Sequence, residues 1–196
     1  MITQPSAAPS PRRSVPGWAI ALLVAGALGA LALCAIVGIG ALTLLGRTVE
    51  PTVVTAIDGQ SQVTVPGTWK SRDDLNDQAE LQVANPAREQ YLIVLTEARS
   101  DLVGFTLETY AQTVLDNLAV SLDDPTISEA RPLTLGGRPA VQYEVRGTVD
   151  RIRAVYWLTA VEGSSSYFQV LTWTIESKAE GNAQVLQDVV ASFREL

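Results

Sequence analysis

Few residues in this chain have the type and spacing that chemistry requires. Ser164, Ser165 and Ser166 follow Gly163, and a serine nucleophile in a chain without histidine needs a lysine buried beside it. Only Lys70 and Lys178 exist, and Lys178 falls at an expected helix start, so turn chemistry accounts better for the serines. Asp73, Asp74, Asp77 and Glu80 offer oxygen ligands for calcium but lack the glycine and glutamate of an EF-hand loop; a solvated polar loop is the plainer reading. Gly136-Gly137 has neither the following helix nor the Gly-Lys-Ser/Thr run of a phosphate cradle. Arg151 and Arg153 share one face of an expected strand with Trp157. Together with Trp173 on the next strand they make a candidate ligand or partner patch, whose alternative is an ordinary solvated strand face.

Composition narrows the field further. The 196 residues include no histidine and one cysteine, which excludes imidazole catalysis, His-ligated metals, internal disulfides and thiolate clusters. No metal or cofactor set is left to assign. A net charge of −7 argues against nucleic acid, which is held by clustered Lys and Arg.

The charges are unevenly spread. Trp18 to Leu45 is a run of 28 residues without one, roughly 42 Å of helix at 1.5 Å per residue against a hydrocarbon layer of roughly 30 Å. A cleavable signal peptide has a shorter apolar region and a small-residue cleavage site. The run therefore predicts an uncleaved transmembrane helix over 17–46. Arg12 and Arg13 before it, against Arg47 after it, predict a cytoplasmic N-terminus and an exterior C-terminal domain. The proline-rich residues 1–16 are expected to be a disordered tail. Leu31-Ala32-Leu33-Cys34 approaches a lipoprotein acylation motif, but Leu33 occupies a small-residue position, and Cys34 reads as part of the span. Gly26, Ala30, Cys34 and Gly38 form a small-residue ridge along the span, suited to helix–helix contact.

After a linker at 47–51, residues 52–196 predict one domain. From residue 47 onward the chain carries 12 basic and 21 acidic side chains, a balance of −9 that favours standing off an anionic membrane surface. Strands are expected at 53–57, 61–65, 80–83 and 91–96, the last apolar enough to be central, with a polar loop at 70–78. Trp69 is expected to plug one end of the core. Leu107, Tyr110, Ala111, Val114, Leu115 and Leu118 lie on one face of a helix with Thr106 as N-cap, and Asp123-Asp124-Pro125 marks the turn beyond. Strands follow at 127–133, 140–147, 151–161 and 166–176. The last three form an antiparallel meander through turns at 147–150 and 162–165. A capping box at Ser177-Lys178-Ala179-Glu180 opens a final helix whose Val185, Leu186, Val189, Val190 and Phe193 point inward. The whole is an α+β domain with a largely antiparallel sheet and helices on opposite faces.

Pro66-Gly67-Thr68-Trp69 after a strand, Leu135-Gly136-Gly137-Arg138-Pro139-Ala140 before one, and the closing Val190-Ala191-Ser192-Phe193-Arg194 resemble the Mog1/PsbP-like superfamily over roughly 52–196. The resemblance implies an α/β/α sandwich and a binding or assembly module rather than an enzyme. The expectation is a single-pass bacterial envelope protein, integral to the cell membrane, whose exterior domain binds a protein partner or small ligand. The rivals are a hydrolase using carboxylates or a Ser-Lys pair, and a structural oligomer formed through the membrane helix.

Overall fold

A strand whose side chains are apolar on both sides of the pleat has to be covered on both faces, and β5 (Gln90–Ala98) is such a strand, fully buried over its first six residues. It lies inside an eight-stranded antiparallel sheet of a computed structural model that describes residues 50–196. The expected membrane helix at 17–46, the tail, the ridge Gly26, Ala30, Cys34 and Gly38, and most of the linker lie outside the described residues. On one side of β5 come β4 (Leu81–Asn85) and the short β3 (Lys70–Ser71). On the other come β10 (Ser166–Ile175), β9 (Ile152–Glu162) and β8 (Arg138–Val149), the expected meander. The outer edge of β8 is shared end to end by β6 (Asp123–Ile127) and β7 (Arg131–Leu135). A separate three-stranded sheet joins β1 (Thr52–Thr55), β2 (Ser61–Val65) and the C-terminal β11 (Arg194–Glu195).

Two helices cover opposite faces of the large sheet, as expected. The apolar face of α1 (Leu107–Val120) packs with Ile93, Leu95, Tyr156, Leu158 and Trp173 in one core. The second core joins α2 (Ala179–Ala191) to Val63 and Val65 of the small sheet and to Val94, Val155 and Val170 of the large one. Thr106 caps α1: its hydroxyl accepts from the Thr109 backbone N–H, while the Thr109 hydroxyl accepts from the Thr106 N–H.

Where the chain departs from the simple pattern, a local cause is visible. The expected strand 127–133 is two strands separated by exposed residues 128–130. The expected turn at Asp123-Asp124-Pro125 is instead the start of β6. Asp124 takes a φ of 50° and the register shifts between Asp123 and Thr126, a bulge that carries Pro125, which has no N–H to donate, along the edge. The turn expected at 147–150 is shorter: Asp150 and Arg151, with φ of 48° and 68°, turn the chain tightly between Val149 and Ile152. The strand therefore continues through Gly147, where a Cβ would lie 2.8 Å from that of Leu122. Residues 70–78 are not wholly a solvated loop. Gln82 Oε1 accepts from the backbone N–H groups of Leu75 and Asn76, and its Nε2 donates to the Asn76 carbonyl, drawing both residues into the interior. The Ser177 capping box does not form. Glu176–Lys178 make a 3-10 turn, and α2 begins with no side-chain cap. Its first turn is held instead by Asn182, bonded to Gln90, Thr174 and the Arg88 carbonyl.

Beneath α1, the Tyr110 hydroxyl donates to Glu97 Oε1 at 3.1 Å. Burial pushes the Glu97 carboxyl above its ordinary value of 4.5, against the opposing pull of that hydrogen bond. The folded protein then holds this proton to higher pH than the unfolded chain. Whatever favours the protonated form is fully present below the unfolded value and is lost as pH rises through the folded one. Glu97→Gln keeps an acceptor for Tyr110 and removes the charge. Its stability relative to the parent should therefore rise between about pH 4 and pH 7, measured by urea unfolding at both. A relative stability that falls over this interval would contradict the assignment.

Candidate functional site

Alternation along β8 places Gln142, Glu144 and Arg146 on the face that α2 covers, and the register with β9 sets Gln142 against Thr159 and Glu144 against Trp157. This end of the sheet is left as a groove of about 520 Å³, walled by Ser128, Glu129 and Arg131 from the β6–β7 side and by Gln187 of α2. A second hollow of about 310 Å³ shares Arg131 and Gln187 and continues between Leu133 and Thr134 of β7 and Ala191 of α2.

The polar groups of this groove are held in order. Gln142, buried, donates through Nε2 to Thr159 Oγ1 at 2.8 Å and accepts at Oε1 from Arg131 Nη2. The same guanidinium nitrogen donates to Gln187 Oε1 at 2.9 Å, which ties strand to helix. Trp157 Nε1 donates to Glu144 Oε2 at 3.1 Å, and Glu144 Oε1 accepts from Arg146 Nε at 2.8 Å. Glu176 closes the row: Arg153 Nε donates to it at 2.8 Å, and Arg146 lies 3.5 Å away. Hydrogen bonding from Arg153, with a smaller share from Arg146, holds the Glu176 carboxyl below its ordinary range.

Of the residues singled out in the sequence, the structure brings together Arg153 and Trp157 only. Trp157 lines the groove, while Arg153 is spent on Glu176. Arg151 sits in the tight turn rather than on the strand. Trp173 lies on the opposite face, stacked on Tyr91 at 5.2 Å under α1. The cause is register: Trp157 pairs with Thr172, so Thr172 and not Trp173 shares its face. Arg131, Gln142, Glu144 and Gln187 are the residues that sequence reasoning missed. Alternation in β8 signals that Gln142 and Glu144 share a face, but not that α2 leaves this end of it open.

The other chemistry raised by the sequence is dispersed. Ser164 lies at the β9–β10 turn, where its hydroxyl bonds Glu195 Oε2 and accepts from Arg138. Lys178 follows the far end of β10, a strand of ten residues and so roughly 33 Å long. Lys70 belongs to that far end too, through the pairing Lys70–Ala84–Tyr91–Trp173. No Ser-Lys pair is assembled among the described residues. Asp74 is paired with Arg72, and among the described residues no three acidic or thiol side chains gather as a metal cluster.

The turn motifs and the closing segment meet in one place. Trp69, Leu135, Ala140, Val190 and Phe193 all belong to the core beneath α2. Gly136, with a φ of 57°, lets the backbone come so near β11 that a Cβ would stand 2.9 Å from Arg194 Cδ, and Arg138 Nε reaches Glu195 at 2.6 Å. Solved structures share this architecture. LpqN, involved in cell envelope biogenesis of Mycobacterium tuberculosis, superimposes with a TM-score of 0.55 at 13% identity, over 74% of this chain and 90% of LpqN. Cyanobacterial PsbP (CyanoP) from Synechocystis gives 0.54 at 12% identity over 80% and 98%. The Ran-binding protein Mog1p of Saccharomyces cerevisiae gives 0.52 at 14% over 74% and 95%. The fold is Mog1/PsbP-like. At these identities the likeness is one of fold. No protein-family model matches the chain, and no curated protein matches it in sequence. In this Mog1/PsbP-like domain the groove lies at the β7–β8 end of the sheet, beside α2.

Proposed function

We propose that this chain is a single-pass envelope protein that carries its Mog1/PsbP-like domain outside the membrane, where the domain binds a protein or small ligand in the groove between β7, β8 and α2. The observation that carries the binding half is the groove itself, whose size falls in the usual range of ligand sites. Two of its polar side chains, Arg131 and Glu144, are oriented by the buried Gln142 and Trp157. LpqN and Mog1p, described respectively as involved in cell envelope biogenesis and as Ran-binding, make such a role compatible with the fold. The anchor rests on residues 18–45 and on Arg12 and Arg13, since among the described residues no helix is long and apolar enough to cross a membrane.

Fractionation of cells expressing the full chain tests the anchor. The expected result is retention in the membrane pellet through alkaline carbonate, release on deletion of residues 18–45, and digestion of the domain by protease added to spheroplasts. Recovery of the full chain in the soluble fraction, or protection of the domain in spheroplasts, would overturn this half of the proposal.

A further inference from the structure

Five arginines of this domain, at 72, 99, 138, 146 and 153, lie within 4 Å of a carboxylate. Arg131, like Arg88, Arg151 and Arg194, is not among them, but it alone of these four lines the groove. Among the described residues, which hold 21 acidic side chains, no carboxylate lies within 4 Å of Arg131. Its guanidinium is instead oriented by the amide oxygens of Gln142 and Gln187. A neutral amide can aim a guanidinium without cancelling its charge, and only some of the five N–H donors of an arginine are engaged by two such bonds. The Gln142 amide is itself fixed, because the side chain is buried and its Nε2 is committed to Thr159. Of the three acids that line the two hollows with Arg131, Glu144 is occupied by Arg146 and by the Trp157 indole, Asp188 accepts from Gln184 Nε2 at 2.8 Å, and Glu129 lies in the exposed stretch between β6 and β7. Next to the charge the second hollow offers apolar surface from Leu133 and Ala191.

We infer that Arg131 is the anion-recognition point of the groove and takes a carboxylate joined to an apolar group, the apolar part lying along the Leu133–Ala191 side. This rests on the groove being the binding site and adds the class of ligand. Two sources carry that chemistry, a peptide ending in an apolar residue with a free C-terminus and a medium-chain fatty acid. Binding adds a charged hydrogen bond on Arg131 and leaves the Gln142–Thr159 bond in place.

The test is a titration of the full chain in neutral detergent micelles, followed by the indole N–H resonance of Trp157, assigned with Trp157→Phe. The probes are acetyl-Ala-Ala-Leu with a free carboxylate, the same peptide as its C-terminal amide, octanoate, and inorganic phosphate. The expected result is a saturable shift with the free-acid peptide or with octanoate. The amide should bind at least tenfold more weakly, phosphate should give no saturable shift, and Arg131→Gln should lose the response while Arg131→Lys keeps part of it. Whichever carboxylate binds more tightly identifies the source. Equal binding of acid and amide, or an undiminished response in Arg131→Gln, overturns the inference while leaving the groove a binding site. No saturable shift with any probe also overturns it. Thermal unfolding of each variant shows whether a lost response is a lost fold.

Discussion

Replacing Phe193 by alanine is expected to lower the unfolding free energy by about 3–5 kcal/mol, the usual loss for a fully buried phenylalanine. The ring has no exposed surface and meets Phe168 edge-on, with centroids 5.3 Å apart. It also secures the C-terminal strand. Immediately beyond the ring, Arg194 pairs with Gln62 and Glu195 with Ser61, adding β11 to the small sheet. The Glu195 carboxylate accepts from the Ser164 backbone N–H at 2.8 Å and from Arg138 Nε at 2.6 Å, so one C-terminal side chain clamps two hairpin turns. Removing the ring therefore opens a cavity and loosens that clamp together. Urea unfolding with an unchanged dependence on denaturant would report the loss. A change below about 1 kcal/mol would mean that the second core closes around the missing ring.

Asn182→Ala should cost about 1–3 kcal/mol for each buried polar group it strands, which exceeds the loss of one ordinary hydrogen bond. Asn182 Oδ1 accepts from Gln90 Nε2 at 2.8 Å, and its Nδ2 donates to Thr174 Oγ1 at 2.8 Å and to the Arg88 carbonyl at 2.9 Å. Gln90 and Thr174 are themselves buried, so alanine leaves an amide donor and a hydroxyl without a partner. Because α2 has no side-chain cap, the loss should appear as faster amide exchange at the start of that helix. A variant within about 0.5 kcal/mol of the parent, with unchanged exchange, would show that these bonds contribute nothing net.

These two residues mark how far the sequence could be read. Phe193 was legible because it continues the inward spacing of Leu186, Val189 and Val190, although it lies just beyond the helix rather than in it. Asn182 was not, since a polar residue near a helix start looks solvated until Gln90 and Thr174 are brought to it from strands far away in sequence. The same division runs through the site. Alternation set Arg153 and Trp157 on one face, but the register of β9 with β10 decided that Trp173 would fall on the other. Arg131 lay inside what reads as one strand over 127–133. The bulge at Asp124 and the pairing of β6 and β7 with separate halves of β8 place it at the groove, and neither is written in local propensity. The core followed from periodicity because burial is local and repetitive; the site depends on long-range register and on what α2 leaves uncovered.

That the groove is where this domain meets its ligand is tested most directly from inside it. A photocrosslinking residue at Ala191 of α2, which is exposed and lines the hollow that continues the groove, is compared in living cells with one at Val103, which is 87% exposed in the loop leading to α1. A groove that holds the ligand predicts a discrete adduct from Ala191 that is absent from Val103 and is lost when Arg131 is replaced by glutamine. An equal adduct from Val103, or none from Ala191, would contradict it.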